Sequence, residues 1–331
     1  METSWILALL LPIIATQAAL GLIVGGGVGI GVGGGIGGGG SGGDDPKGIL
    51  GSWVGPNVCS YKGVFCSETR DFMGNPAGKV VAAIDLNHAN LQGVLVKELS
   101  FLTDLSLLHL NSNRFAGTVP SSFRELESLT ELDLSNNKFS GPFPTTALYI
   151  PNLLYLDLRF NSFSGPIPED LFNTKLDAIF LNNNQFDGEI PENLGNSPAS
   201  VIVLDVSSNT LTGHLPDSLS CLSEIEVLNF GNNKFSGTLP DLVCSLRTLL
   251  NLTLSVNFFS GFSQDCDRLL FRNVGFDFSL NCIPGKEFQR PWPDCSAVPG
   301  GGLSCLRIPS PKPLVCGTLV EALMNSASST P

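Results

Sequence analysis

The sequence predicts an α/β solenoid of stacked coils, and three observations carry that prediction. A frame L-x-x-L-x-L-x-x-N-x-F-x-G-x-x-P recurs along the chain, with its asparagine at Asn113, Asn137, Asn161, Asn184, Asn209, Asn233 and Asn257. The steps between these asparagines are 24, 24, 23, 25, 24 and 24 residues. Leucines keep fixed offsets from each asparagine, as Leu105, Leu108 and Leu110 do ahead of Asn113. Such a period with such offsets marks a leucine-rich-repeat solenoid, in which one repeat is one coil and buries its apolar side only against its neighbours. The expected form is a horseshoe with a parallel concave β-sheet and capped ends.

Each position of the frame has a physical task. Alternation of Leu105, Leu108 and Leu110 with polar residues predicts a short strand with one buried side, presenting Ser106, Leu107, His109, Asn111 and Ser112 outward. The asparagine falls where the chain turns inward. Its amide can donate to and accept from backbone groups of adjacent coils, and an unmet buried polar group there would cost roughly 1–3 kcal/mol. Phe115, Phe139, Phe163, Phe186, Phe235 and Phe259, with Leu91 and Leu211 in register, are expected to fill the interior. The frame glycines, Gly117 to Gly237, are expected to permit tight backbone approach, and the prolines that follow them to stop helix.

The flanks divide the rest of the chain. Residues 1–18 read as a secretory signal, an apolar run ending in small residues, although no Lys or Arg precedes it and Glu2 is acidic. A signal anchor running through Val24 is the alternative, and no second apolar stretch of membrane-spanning length follows. Residues 19–46 form a Gly-rich spacer, 47–80 an N-terminal cap, 81–261 about eight repeats, 262–295 a C-terminal cap and 296–331 a Cys/Pro-containing tail. Ala89 replaces the asparagine in the first repeat, and a degenerate ninth repeat runs into Asn281. The spacer contains G-x-G-x-x-G at Gly29, Gly31 and Gly34, but no strand precedes it and no amphipathic helix follows, so it is not read as a dinucleotide site. Residues 74–80, GNPAGKV, miss the phosphate-loop spacing.

Nine cysteines in an exported chain argue for disulfides. Cys59 and Cys66 are expected to close the N-terminal cap over Trp53 and Tyr61. Cys221 and Cys244 occupy equivalent places one coil apart, so they pair with each other, or Cys244 pairs with Cys266. The odd total leaves one thiol free or intermolecular, expected at Cys305 or Cys316, which allows a disulfide-linked dimer.

Surface chemistry points to binding. The outward strand position is filled by Asp85, His109, Asp133, Asp157, Phe180, Asp205, Asn229 and Thr253, so four carboxylates share one column. Asp and Glu total 30 against 18 Lys and Arg, a formal charge of −12. An acidic face favours a basic partner and repels nucleic acid. Tyr155, Arg159, Phe160 and Phe180 interrupt the column with aromatics and an arginine, the residue types of binding anchors. Catalysis has little support. Asp85, His88, His109 and Ser112 fall on the first coils, but an open sheet offers no base, orienting group and oxyanion site in one pocket, and no metal or cofactor site is read. Asn251-Leu252-Thr253 is the only N-x-S/T sequon, making Asn251 a glycosylation candidate.

The segments WVGPNVCSYKGVFC, AAIDLNHANLQG, LNSNRFAGTVP, ELDLSNNKFSGPFP, LDLRFNSFSGPIP, IPENLGNSPAS and NCIPGKEFQRPWPDC occur in this order over about residues 50–295. Together they resemble the N-terminal repeat domain of plant leucine-rich-repeat extensins. The resemblance implies a plant-type repeat fold with disulfide-bonded caps, export to the cell wall, and binding of small basic cysteine-rich signalling peptides of the rapid alkalinisation factor type, or of a wall protein. Three features depart from the family: about eight repeats rather than about ten, Ala116 in place of a cysteine, and no Ser-polyproline run after Cys295, which likens the chain to a short, extensin-less branch. The alternatives are a defence protein resembling polygalacturonase inhibitors, which share the repeat frame, and a structural wall protein.

Overall fold

The computed structural model describes residues 45–192 and 201–296, and the chain divides into two compact units between Ser162 and Phe163. The expected signal, the spacer before residue 45, and the tail with Cys305 and Cys316 lie outside the described residues.

The first unit opens with the cap. Short 3-10 turns at Leu50–Ser52 and Val58–Ser60 precede an antiparallel hairpin of β1 (Val64–Arg70) and β2 (Pro76–Asp85). The Cys59–Cys66 disulfide ties the second turn to β1. Trp53 stacks on Tyr61 with ring centroids 5.6 Å apart, and its indole N–H donates to the Lys62 carbonyl at 2.9 Å. Gly63 has φ +84°, and a Cβ there would lie 2.5 Å from the Asp85 carbonyl oxygen, so only glycine fits. The hairpin turn is closed by Asp71, whose carboxylate accepts the Met73 and Asn75 amides at 2.8 and 2.9 Å. Residues 74–80 are thus the end of a turn and the start of β2.

Coils follow, each with two short strands. β3 (Gln92–Val94), β5 (Arg114–Gly117) and β7 (Lys138–Gly141) make one parallel ladder. β4 (Leu107–His109), β6 (Glu131–Asp133) and β8 (Tyr155–Asp157) pair in parallel with the end of β2, placing Ile84, Leu108, Leu132 and Leu156 in register. All four are fully buried. The 3-10 turns Ser121–Glu125 and Thr145–Tyr149 begin directly after Pro120 and Pro144, whose missing N–H costs nothing at a turn start.

The second unit repeats the plan. β9 (Ser162–Pro166) pairs with β11 (Gln185–Asp187), and β14 (Ser236–Thr238) with β16 (Phe258–Gly261). β10 (Ala178–Phe180), β12 (Val203–Asp205), β13 (Val227–Asn229), β15 (Asn251–Thr253) and β17 (Gly275–Asp277) are parallel neighbours in that order. The ninth repeat therefore forms a strand, degenerate sequence notwithstanding. Helix α1 (Gln264–Phe271) replaces the 3-10 turn of the last coil and is bonded to the preceding turn by Cys244–Cys266, which selects one of the two pairings the spacing left open. Cys221 is also disulfide-bonded. Cys282–Cys295 closes the end beside α2 (Trp292–Ser296).

The asparagine ladder is present in both units. In the first, the Asn113, Asn137 and Asn161 Oδ1 atoms accept the amides of Leu91, Phe115 and Phe139 at 2.8–2.9 Å. Their Nδ2 groups donate to Leu86, Leu110 and Leu134 carbonyls of the preceding coil at 2.8–3.0 Å. In the second unit Asn209, Asn233, Asn257 and Asn281 do the same for Phe186, Leu211, Phe235 and Phe259, so the ladder extends one coil beyond the frame. Asn184 accepts the Phe163 amide at 3.0 Å. The residue before each ladder asparagine has left-handed backbone, including Asn136, Phe160, Val256 and Leu280 at φ +53° to +59°. The frame glycines serve the same need: Gly117 to Gly237 have φ between +75° and +91°, and a Cβ at Gly165 would meet nothing within 4 Å, so their common requirement is dihedral freedom and not tight approach.

Candidate functional site

The column expected from the sequence is in register within each unit. In the first, Asp85 pairs with His109, His109 with Asp133, and Asp133 with Asp157. In the second, Phe180 pairs with Asp205, Asp205 with Asn229, Asn229 with Thr253, and Thr253 with Asp277, a member the sequence reading missed because its repeat lacks the frame leucines.

A structural reason accounts for aspartate at this position. One oxygen of each side chain accepts the amide two residues on: Asp85 from Asn87 at 3.0 Å, Asp133 from Ser135 at 2.9 Å, Asp157 from Arg159 at 3.0 Å, Asp205 from Ser207 at 2.9 Å and Asp277 from Ser279 at 3.0 Å. Asn229 does this for Gly231 at 3.1 Å, showing that the cap needs the oxygen and not the charge. The residue type is thereby fixed by strand-end geometry, while the second oxygen is left for other work.

Asp157 departs from the solvated carboxylate the pattern suggests. It is 0 % exposed, with Arg159 Nε 2.8 Å from Oδ2 and the Tyr155 hydroxyl donating to the same oxygen at 3.2 Å. Burial, and then the neighbouring Asp133 charge, raise its pKa from 3.8 to about 6 against the opposing hydrogen bonds and guanidinium. Burial and the two aspartates likewise push the Tyr155 phenol up. Arg159 is accordingly an ion-pair partner and not a lone cation. Phe160 is 48 % exposed beside this cluster in sequence, and Phe180 is half-buried in the other unit.

The remaining members are more open. Asp85 is exposed and Asp133, Asp205, Asn229 and Thr253 are intermediate. His109 Nε2 lies 3.0 Å from Glu131 Oε2, so its charge when protonated is met within the face. The Ser112 hydroxyl donates to Asn111 Oδ1 at 2.6 Å, an arrangement that gives it no histidine base. Among the described residues no cluster of His, Cys, Asp and Glu has metal-holding geometry, and no helix is long and apolar enough to cross a membrane.

Comparisons place this geometry among known proteins. Leucine-rich-repeat family models match residues 103–163 and residues 175–197, 200–222 and 224–246. The chain is 57 % identical over 175 residues to leucine-rich repeat extensin-like protein 4 of Arabidopsis thaliana, covering 53 % of this chain and 34 % of that one. Leucine-rich repeat extensin-like protein 3 of the same plant is 60 % identical over 175 residues, covering 53 % and 22 %. The chain thus spans about a third or less of the length of these relatives. Among solved structures, the PEPR1–AtPEP1 crystal structure has a TM-score of 0.65 at 26 % identity, covering 82 % of this chain and 35 % of that one. The Arabidopsis HAESA ectodomain, solved with an N-terminally extended IDA peptide hormone, has a TM-score of 0.57 at 32 % identity, covering 62 % and 35 %. The chain has a plant-type leucine-rich-repeat fold, and about half of it is similar in sequence to leucine-rich repeat extensin-like proteins.

Proposed function

We propose that this protein is exported to the plant cell wall and binds basic cysteine-rich peptides, of the rapid alkalinisation factor type, on the strand faces of its coils, with no catalytic step. The observation that carries the reading is the acidic column, in register within each unit, in which capping takes one oxygen per aspartate and leaves the other of Asp85 and Asp133 to attract a cation, while that of Asp205 accepts the Asn229 side-chain amide at 3.1 Å. Support comes also from relatives named for the extensin-like family and from solved neighbours holding peptide ligands. Asp85, Asp133 and Asp205 supply the accessible charge, with His109, Tyr155, Phe160, Phe180 and Asn229 as flanking contacts. Asp157 organises the face from beneath, and Arg159 and Tyr155 close over it as contacts at the surface.

Because Asn229 shows that asparagine preserves the cap, Asp85→Asn, Asp133→Asn and Asp205→Asn together remove charge without removing the turn. Calorimetry with a basic cysteine-rich peptide should show affinity falling as salt rises, since exposed charges are screened beyond about 8 Å at physiological ionic strength. The triple variant should bind roughly tenfold more weakly, from three exposed pairs at ~0.5 kcal/mol apiece. Equal affinity and equal salt dependence in the folded variant would remove the acidic column from the reading.

A further inference from the structure

We propose that Asn251 carries an asparagine-linked oligosaccharide. The chain has one N-x-S/T tripeptide, Asn251-Leu252-Thr253, and the structure puts its two polar ends on one open face. Asn251 is exposed, Leu252 is fully buried between them, and the Thr253 hydroxyl donates to Asn251 Oδ1 at 3.1 Å. A second, independent observation concerns space. Asn251 is paired in register with Gly275, where a Cβ would lie 2.8 Å from Asn251 Nδ2, the atom that would bear the sugar. The corresponding positions on the two preceding strands are Val203 and Val227. Only the strand beyond the sequon lacks a side chain there, and that strand, β17, is the last of its sheet among the described residues. The amide that would bear the glycan therefore lies over a glycine in the last described strand of its sheet, where no neighbouring side chain stands in register beyond it.

The transfer joins Asn251 Nδ2 to the anomeric carbon of an oligosaccharide carried on a lipid diphosphate. The bond from that carbon to the phosphate oxygen breaks, the lipid diphosphate leaves, and the amide loses one proton. The donor is met only on the export route, so the proposal rests on the export reading above. Its consequence for binding is a boundary: the sugar covers Thr253 and Asp277 and leaves Phe180, Asp205 and Asn229 open in the second unit.

The full chain expressed in plant cells, with the medium and the cells both mapped by mass spectrometry before and after enzymatic deglycosylation, provides the test. The residue-251 peptide should carry hexose and N-acetylhexosamine. Asn251→Gln and Thr253→Ala should each lose that mass, and Thr253→Ser should keep it. An unmodified Asn251 in folded protein overturns the proposal wherever the protein is found. Modified protein absent from the medium overturns secretion alone.

Discussion

Asn161 makes four hydrogen bonds with one carboxamide. Its Oδ1 accepts the Phe139 amide at 2.9 Å, and its Nδ2 donates to the Leu134, Leu158 and Arg159 carbonyls at 3.0, 3.1 and 3.2 Å. Asn161→Ala should therefore cost roughly 1–3 kcal/mol, because part-buried backbone groups of two coils lose their partners together. Asn136 is a neighbour of different kind, exposed and at φ +53°, where its value lies in tolerating left-handed backbone. Asn136→Gly should leave stability within about 0.5 kcal/mol of the parent. Urea denaturation of both variants checks the pair, and equal losses would refute the ladder assignment. A second residue-scale expectation concerns pH. Asp157 has a folded pKa of about 6, above its ordinary 3.8, so between these values the folded state holds more protons than the unfolded one. Its contribution to stability is then full below the ordinary value and is lost as pH rises through about 6. Asp157→Asn should flatten the pH dependence of stability in that window. An unaltered slope in the variant would show that the carboxylate is not buried as described.

At the scale of elements, the seal of the last coil depends on few ties. Cys244–Cys266 joins α1 to the preceding 3-10 turn, Asp241–Ser245, and Arg272 adds hydrogen bonds to the Leu246 and Arg247 carbonyls at 2.8 and 3.0 Å. Replacing both cysteines by alanine should cost about 2–4 kcal/mol. Hydrogen exchange should quicken first at the start of α1, beside Cys266, since Arg272 still tethers the end of that helix; unchanged exchange there would count against the tie. The repeat strands were legible in the sequence because the same offsets recur, and each recurrence tests the last. The β1–β2 hairpin was not legible. It has no repeat partner, its turn depends on Asp71 capping its own loop, and its residues 71–79 are exposed on both faces, which leaves no apolar alternation to read. The strand Gly275–Asp277 was half legible: its ladder residue, Asn281, stands in frame, but glycine and phenylalanine replace the usual strand residues at the open end of the stack. The burial of Asp157 had no sequence signal, because one aspartate in L-D-L looks like another until Tyr155 and Arg159 close over it.

For the whole molecule, the same local bookkeeping applies within each unit: coils bond to the coils before and after them, and the frame leucines and phenylalanines are withdrawn from water. The asparagine ladder gives this a mechanical meaning. Tension applied across either unit would load the bonds between its consecutive coils one set at a time, as in peeling tape, and each detached coil of 24 residues would release on the order of 80 Å of extended chain at about 3.4 Å per residue. The Cys244–Cys266 bond, with its sequence separation of 22, withholds nearly one such length from extension. A unit pulled in this way would lengthen in nearly even steps, and the loop closed by Cys244–Cys266 would stay shut while its neighbours unwound.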